Sequence, residues 1–212
     1  MYNIGDEAGK TIQVPKYPAV TAADLTEGTD MSSSTVSTSS VTITVGEVGA
    51  QVVLTDVAAM GAGNPAEELG TVLGNSIATK IDTDLIALFD GFSTALGGAG
   101  TEITVADIFK AAATLRANKA QGEIFAVLHP FQAYQIKANL TNTFANPNGG
   151  DAQNTAMVNS YVGTIAGVDI FESSNITVDG SDDAKGAVFS REALAIAMKR
   201  DFQIETQRDA SL

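Results

Sequence analysis

Between Val41 and Leu54 apolar and polar residues alternate, and this run limits the fold more than any other stretch of the chain. Val41, Ile43 and Val45 share one parity, with Thr42 and Thr44 between them, which is the pattern of a half-buried strand. After Gly46-Glu47 the apolar parity moves to Val48, Ala50, Val52 and Leu54. Such a switch requires either a bulge or a two-residue turn with glycine first. Both solutions give a long β-arm with one apolar face. An isolated two-stranded arm is at best marginal in water. Its apolar face must therefore lie on the chain's own body or on a neighbour. Upstream, Thr11-Ile12-Gln13-Val14 reads as a short strand that Pro15 and Pro18 keep at an edge. Residues 26–40 are small and polar and are expected to form a mobile tip.

A long helix follows. Asn64 can cap it, Pro65 suits its first position, and Glu67 and Glu68 face the positive end of its dipole. Leu69, Leu73, Ile77, Ile81, Leu85 and Phe89 recur every four residues, with Val72, Ala78 and Leu88 beside them. That is one apolar stripe along about 25 residues, roughly 38 Å of helix. Gly91 and Gly97-Gly98-Ala99-Gly100 end it, so the helix serves as a spine. Next, Thr104-Val105-Ala106-Asp107 has the form of a capping box. It opens a helix through about Asn118, with Ile108, Ala112 and Leu115 facing inward. Ile124 to Leu128 is a continuous apolar run, read as a buried strand. His129-Pro130 starts another helix to about Leu140, and Asn146-Pro147-Asn148-Gly149-Gly150 lies in a long loop. Val162 to Phe171, Ala187 to Phe189, and the alternating Phe202, Ile204 and Thr206 read as strands. Helices and strands mix without a βαβ rhythm, so the class is α+β.

Composition narrows the function. Apolar residues make up 44% of the chain, enough for a sizeable core, while aromatics are 6% and Trp is absent. Ala, Gly and Thr are plentiful, which suits smooth packing surfaces better than a deep aromatic pocket. The net charge is −13, and Lys and Arg are scattered apart from Lys199-Arg200. Binding to phosphate needs clustered cations that displace counterions, so a specific nucleic-acid reader is not expected. With no Cys, disulfides, thiolate zinc sites and Cys nucleophiles are absent. The segment Met1 to Glu7 has neither a basic stretch nor an apolar one, so no signal peptide is expected. No apolar run approaches the roughly 20 residues that cross a bilayer. Asn139-Leu140-Thr141 and Asn175-Ile176-Thr177 match the glycosylation sequon, which has no consequence without secretion. The chain reads as soluble and intracellular when made.

The candidate chemical motifs each have a plainer explanation. His129 is the only histidine. It has no flanking Ser or Asp motif, and Gly-x-Ser-x-Gly is missing, so closing the start of a helix is its expected role. Gly61-Ala62-Gly63-Asn64-Pro65-Ala66 matches a loose dinucleotide fingerprint. However, Glu67 and Glu68 stand where a pyrophosphate must sit, and the following helix is too long to deliver a ribose-binding acid in time. A joint between arm and spine explains it better. Asp179-Gly180-Ser181-Asp182-Asp183 resembles the opening of a calcium loop, but Ala184 and Ser190 stand where an EF-hand needs Gly and Glu. A solvated turn is expected there. Asp82/Asp84 and Glu67/Glu68 read as ordinary solvation of a helix surface. No catalytic residue, cofactor or metal ion is expected.

The order of elements (β-arm, spine helix, small α/β lobe, return strand) resembles the tailed-phage major capsid fold, shared with herpesvirus shells and encapsulins. The resemblance is carried by Gly5-Asp6, Thr11 to Pro15, Ala22 to Gly28, and Val52-Val53-Leu54-Thr55-Asp56. It continues through Ile77-Ala78, Ile81-Asp82, Val127-Leu128-His129-Pro130, and Gly163 to Ile170 followed by Ser173 and Asn175. Ala187 to Leu194 completes it. The resemblance implies an N-terminal segment and extended β-loop over residues 1–56. It implies a peripheral domain with the spine over 57–103, an axial domain over 104–194, and a return strand over 195–212. It further implies pentamers and hexamers in an icosahedral shell around double-stranded DNA, assembled in the host cytoplasm. Cement, decoration and scaffolding proteins are then further partners, and no membrane is involved. Val41, Ile43, Val45, Val48, Ala50 and Val52 become the expected subunit contacts, because an adjacent copy covers the arm. Little precedes Gly5 and the chain stops at Leu212, whereas the family pattern extends at both ends. Some relatives weld their shells through a loop Lys; none occurs between Val41 and Asp56, and Lys16 is the only one on the outgoing limb, so no covalent weld is expected. The competing readings are an encapsulin-like compartment with enzyme cargo, a small nucleotide-dependent enzyme using Gly61 to Ala66, and a β-rich adhesin module.

Overall fold

The computed structural model describes residues 2–3, 9–28, 30, 33, 35–55, 65–144 and 164–207. Its elements in chain order are β1 (Tyr2–Asn3), β2 (Thr11–Lys16), β3 (Ser39–Thr44), α1 (Pro65–Ala87) with a 3-10 turn at Leu88–Gly91, α2 (Val105–Ala117), β4 (Ile124–Leu128), α3 (Pro130–Phe144), β5 (Thr164–Ile165), β6 (Val168–Glu172), β7 (Ala187–Ser190) and β8 (Ala197–Met198). The mixture of helix and strand matches the α+β expectation. The chain divides into two compact units, residues 1–49 with 195–212, and residues 50–194.

In the first unit β2 and β3 form an antiparallel ribbon, from Thr11 opposite Thr44 to Lys16 opposite Ser39. Neither of the two expected solutions, a bulge or a two-residue turn after Gly46-Glu47, supplies the partner of β3. Val45 stays in register with Lys10, donating its N–H to the Lys10 carbonyl at 2.8 Å, and the chain continues past Gly46 without turning back. β2 satisfies the inward-facing backbone groups of β3, so no tight turn is needed. The alternation after Val48 does not become a strand. Tyr2 and Asn3 pair in parallel with Ala197 and Met198. The expected last strand through Phe202, Ile204 and Thr206 is also absent. Residues 201–207 are irregular and exposed, and no strand among the described residues pairs with them.

The second unit begins with α1, starting at Pro65 as the helix signals require; Asn64 lies outside the described residues. Its stripe residues Leu69, Leu73, Ile77, Ile81, Leu85 and Phe89 are all half-buried, while Val72 and Leu88 beside them are 58% and 50% exposed. The rest of the unit is a lobe with strand order β5-β6-β4-β7. β4 lies parallel to β6 and antiparallel to β7. One parallel crossover through α3 thus stands inside an otherwise irregular order. Ile124, Ala126 and Leu128 are buried and alternate with half-buried Phe125 and Val127. Ile108 and Ala112 of α2, Ile136 of α3, and Val168 and Ile170 of β6 complete the core. Leu115 is half-buried at its edge. Every fully buried residue among those described is apolar and lies between Ile108 and Ala187.

Local chemistry explains the lobe's corners. Residues 164–172 hold a hairpin rather than one strand, and Val162 and Gly163 lie outside the described residues. Ala166 (φ 56°) and Gly167 (φ 76°) make its two-residue turn, both left-handed as a type I′ turn demands. A non-glycine residue there costs about 1 kcal/mol, and the Arg116 guanidinium donates to the Ala166 carbonyl at 2.7 Å. At the start of α2 the Asp107 carboxylate accepts the N–H and the hydroxyl of Thr104 at 2.9 and 2.8 Å, which confirms the expected box. Before β7, Gly186 lies so close to β4 and α3 that a Cβ there would sit 2.6 Å from Leu128 Cδ2 and 2.9 Å from the Val127 carbonyl oxygen.

Gly186→Ala is therefore expected to destabilise the lobe by about 1–3 kcal/mol through overpacking, measured by urea unfolding. The side-chain hydrogen bond from Thr104, then that from its backbone, holds the Asp107 carboxyl below its ordinary value of 3.8. A lowered carboxyl contributes stability above its unfolded pKa and loses it as pH falls through the folded one. The stability difference between the native chain and Asp107→Asn should then be constant at neutral pH. Below about pH 4 it should shrink, as read from unfolding curves between neutral and acid pH.

Candidate subunit-contact surfaces

The ribbon register sorts its side chains. Ile12 stands opposite Ile43 and Val14 opposite Val41, so these four share one face. Thr11, Gln13 and Pro15 oppose Thr44, Thr42 and Ser40 on the other. One face is aliphatic and the other polar. Val41 is 56% exposed, while Ile12, Val14, Ile43 and Val45 are half-buried. Of the six expected contact residues, the ribbon brings Val41 and Ile43 onto one face, with Val45 continuing it. Val48 and Val52 follow on irregular chain, 46% and 44% exposed, and Ala50 is exposed with them. Ile12 and Val14, missing from the expected set, supply the other half of the face. Their own alternation with Thr11 and Gln13 was the available signal.

A second set of exposed apolar side chains lies on the lobe. Phe131 and Tyr134 project from α3 at 70% and 68% exposure, Phe109 from α2 at 54%, and Phe171 from β6 at 55%. Phe171 stacks obliquely on Phe125, with ring centroids 6.1 Å apart. Scattered apolar residues are normal on a surface. Aromatics exposed to this degree are candidates for contact surfaces.

The polar motifs resolve into structural roles. His129 Nδ1 accepts the Phe131 N–H at 3.3 Å, so the ring caps α3 as expected. Gln132, which the sequence reading passed over, completes the cap: its carbonyl oxygen accepts the His129 N–H at 3.1 Å and its amide donates to the Ala184 carbonyl at 2.7 Å. Asp179 closes a turn by accepting the N–H groups of Asp183 and Ser181, at 3.0 and 2.8 Å, and these bonds hold its carboxyl below the ordinary value. Asp183 accepts the Gly100 N–H on both oxygens at 2.9 Å. Gly61 to Asn64 lie outside the described residues, while Pro65 and Ala66 begin α1. Among the described residues no group of three or more His, Cys, Asp or Glu could hold a metal ion. Among the described residues no helix is long and apolar enough to cross a membrane.

One reading is corrected. Asp82 is not ordinary solvation but the junction of α1 with the lobe. Half-buried, its Oδ2 accepts the Ser173 hydroxyl at 3.0 Å and the Asn175 amide at 2.5 Å. Asp84 does stay at the surface, 55% exposed and paired with Lys80. Beyond Asp82 the junction becomes apolar, where Phe89 and Phe92 meet Phe189 of β7 at 5.7 and 6.0 Å. Lys80, Lys137, Lys185 and Arg191 each face a carboxylate within 4.0 Å, so none adds to a cationic patch.

Comparison with known proteins bears on what such surfaces are for. Among solved structures the chain is similar to one from the capsid structure of the cyanophage P-SCSP1u, with TM-score 0.72 and 18% identity, over 99% of this chain and 76% of that one. It is similar to a chain of Mycobacterium phage Che8, with TM-score 0.73 and 20% identity, over 96% and 75%. A chain of the mature capsid of bacteriophage PhiM1 aligns at TM-score 0.54 and 19% identity, over 83% and 61%. At these identities the likeness establishes the fold. Curated protein sequences give no significant match. The model of a family described as phage capsid protein matches residues 35–211, most of the chain. The chain therefore belongs to the phage capsid protein family, as a structural protein of the virion capsid.

Proposed function

We propose that this chain is the repeating subunit of an icosahedral shell, arranged as pentamers and hexamers and enclosing double-stranded DNA without reading its sequence. The observation that carries the reading is the ribbon, a two-stranded sheet with an aliphatic face too small to hold itself together in water. On an adjacent copy that face loses its contact with water, at about 25 cal/mol per Å² of apolar surface covered. Val41, Ile43, Val45, Val48, Ala50 and Val52 make the contact, together with Ile12 and Val14. Residues 1–56 act as the overlapping loop and 57–103 as the peripheral domain. Residues 104–194 form the axial domain around the ring centre, and 195–212 return to the periphery. Contacts that are weak singly become strong when symmetry closes them into rings. The subunit does no chemistry, assembles in the host cytoplasm, and forms no covalent weld. Scaffolding, cement and decoration proteins are its further partners.

The test places charge on the ribbon. Val41→Asp with Ile43→Asp buries carboxylates in the proposed contact, at a cost of several kcal/mol. Particle yield in negative stain should fall on the order of a hundredfold, while the thermal transition of the lobe stays in place. Gln13→Glu, which adds charge to the opposite face, should still assemble. Normal shells from the aspartate pair would sink the reading.

A further inference from the structure

Two orphan elements in the first unit match each other. In an antiparallel ribbon, residue pairs alternate between exchanging hydrogen bonds and pointing their backbone groups outward. The Val45-to-Lys10 bond sets the phase, so Ile12/Ile43 and Val14/Val41 are bonded pairs. The outward groups then belong to Thr11, Gln13 and Pro15 on β2, and to Ser40, Thr42 and Thr44 on β3. The two outer edges are unequal. Pro15 has no N–H, which blunts the β2 edge, whereas β3 offers three N–H and three C=O groups in a row. No bond to them is found among the described residues. The other orphan is the segment 201–207. Phe202 and Ile204 alternate with Gln203 and Glu205, no Pro or Gly interrupts them, and they are 63% and 77% exposed.

We infer that residues 201–207 of one copy add as a third strand to the outer edge of β3 on another. This rests on the shell reading and names the strand that completes the ribbon. The added strand would supply the missing backbone partners of Ser40, Thr42 and Thr44. It would set Phe202 and Ile204 on the same face as Val41 and Ile43, widening the aliphatic surface while Gln203 and Glu205 continue the polar one. A second copy is the donor. β8 pairs with β1, and the Lys199 ammonium donates to the Gly9 carbonyl at 2.7 Å, at the foot of β2. Although rooted this close to the ribbon, a chain's own segment forms no strand and β3 pairs with β2 alone, which leaves the outer edge to a second copy. Residues 48–54 of the same chain form no strand with β3.

The absence of native Cys makes a disulfide test clean. Thr42→Cys and Gln203→Cys are placed on separate chains, coexpressed and oxidised, and the pairings Ser40 with Glu205 and Thr44 with Glu205 test the antiparallel and the parallel direction of the added strand. Strand neighbours fall within the roughly 4.4–6.8 Å between Cα atoms that a disulfide spans. The expected result on a non-reducing denaturing gel is a dimer band in the mixture, at least about tenfold stronger than with either variant alone. With both substitutions in one chain a ladder is expected. A fast-migrating monomer from the double variant would mean that the segment folds onto its own ribbon, and would overturn the inference. Particles without any link in all registers would overturn it too and leave the shell reading standing. Failure of the unmodified chain to form particles would remove both.

Discussion

Burial in this chain is concentrated in one place. β4 is hydrogen-bonded on both sides, and Ile124, Ala126 and Leu128 are sealed against α2 and α3. Nothing comparable exists elsewhere among the described residues, since every fully buried side chain lies between Ile108 and Ala187. Ordering a residue costs roughly 1–2 kcal/mol of backbone entropy. Fully burying a valine or isoleucine side chain returns about 1.5–3 kcal/mol, and half-burial returns less. The lobe supplies such full burial. The ribbon, with four aliphatic residues on one face and water on the other, does not.

The long helix stands between these extremes. Its stripe is half-buried along its length, and it is tied to the lobe from Asp82 onward. First comes the pair of hydrogen bonds from Ser173 and Asn175, then Phe89 and Phe92 against Phe189, then Asp90 with Lys185 at 3.0 Å. The last of these is largely exposed and contributes little. The carboxylate and the aromatic trio are what fix the end of the helix on the sheet. A polar latch beside an apolar one is directional as well as adhesive, since Oδ2 of Asp82 accepts both donors only at one orientation of the helix.

Much of this was legible from short-range chemistry. The Thr104–Asp107 box, the buried strand at Ile124 to Leu128, the cap at His129 and the apolar stripe of α1 all depend on residues within a few positions of one another, and each stands where the sequence puts it. The failures have a common physical cause. Val41 to Val45 announces a strand, but alternation does not say which strand it joins; the partner is Thr11 to Lys16, some 28 positions upstream of its own register. Asp82 looks like any helix-surface acid until Ser173 and Asn175 arrive from more than 90 positions away. Phe202, Ile204 and Thr206 have the pattern of a strand and no partner strand among the described residues. Pattern specifies the capacity to pair, while pairing itself is decided by what the fold, or a second copy, brings alongside. The aliphatic face of the ribbon was legible to the same degree: half of it was visible in Val41 and Ile43, and its other half in Ile12 and Val14 emerged only with the register.

Charge sets the remaining condition on a shell of such subunits. The chain carries −13, and Lys80, Lys137, Lys185 and Arg191 are each already matched by a carboxylate. Retaining a polyanion by affinity would require unmatched cations in a cluster, so that bound counterions are released. A wall of this composition offers little of that, and repulsion across roughly 10 Å of screened solvent would leave the enclosed polymer free to slide. On the proposed reading, containment of DNA would then be mechanical. It would depend on the proposed lateral contacts between copies, for which the chain keeps uncovered aliphatic and aromatic surface.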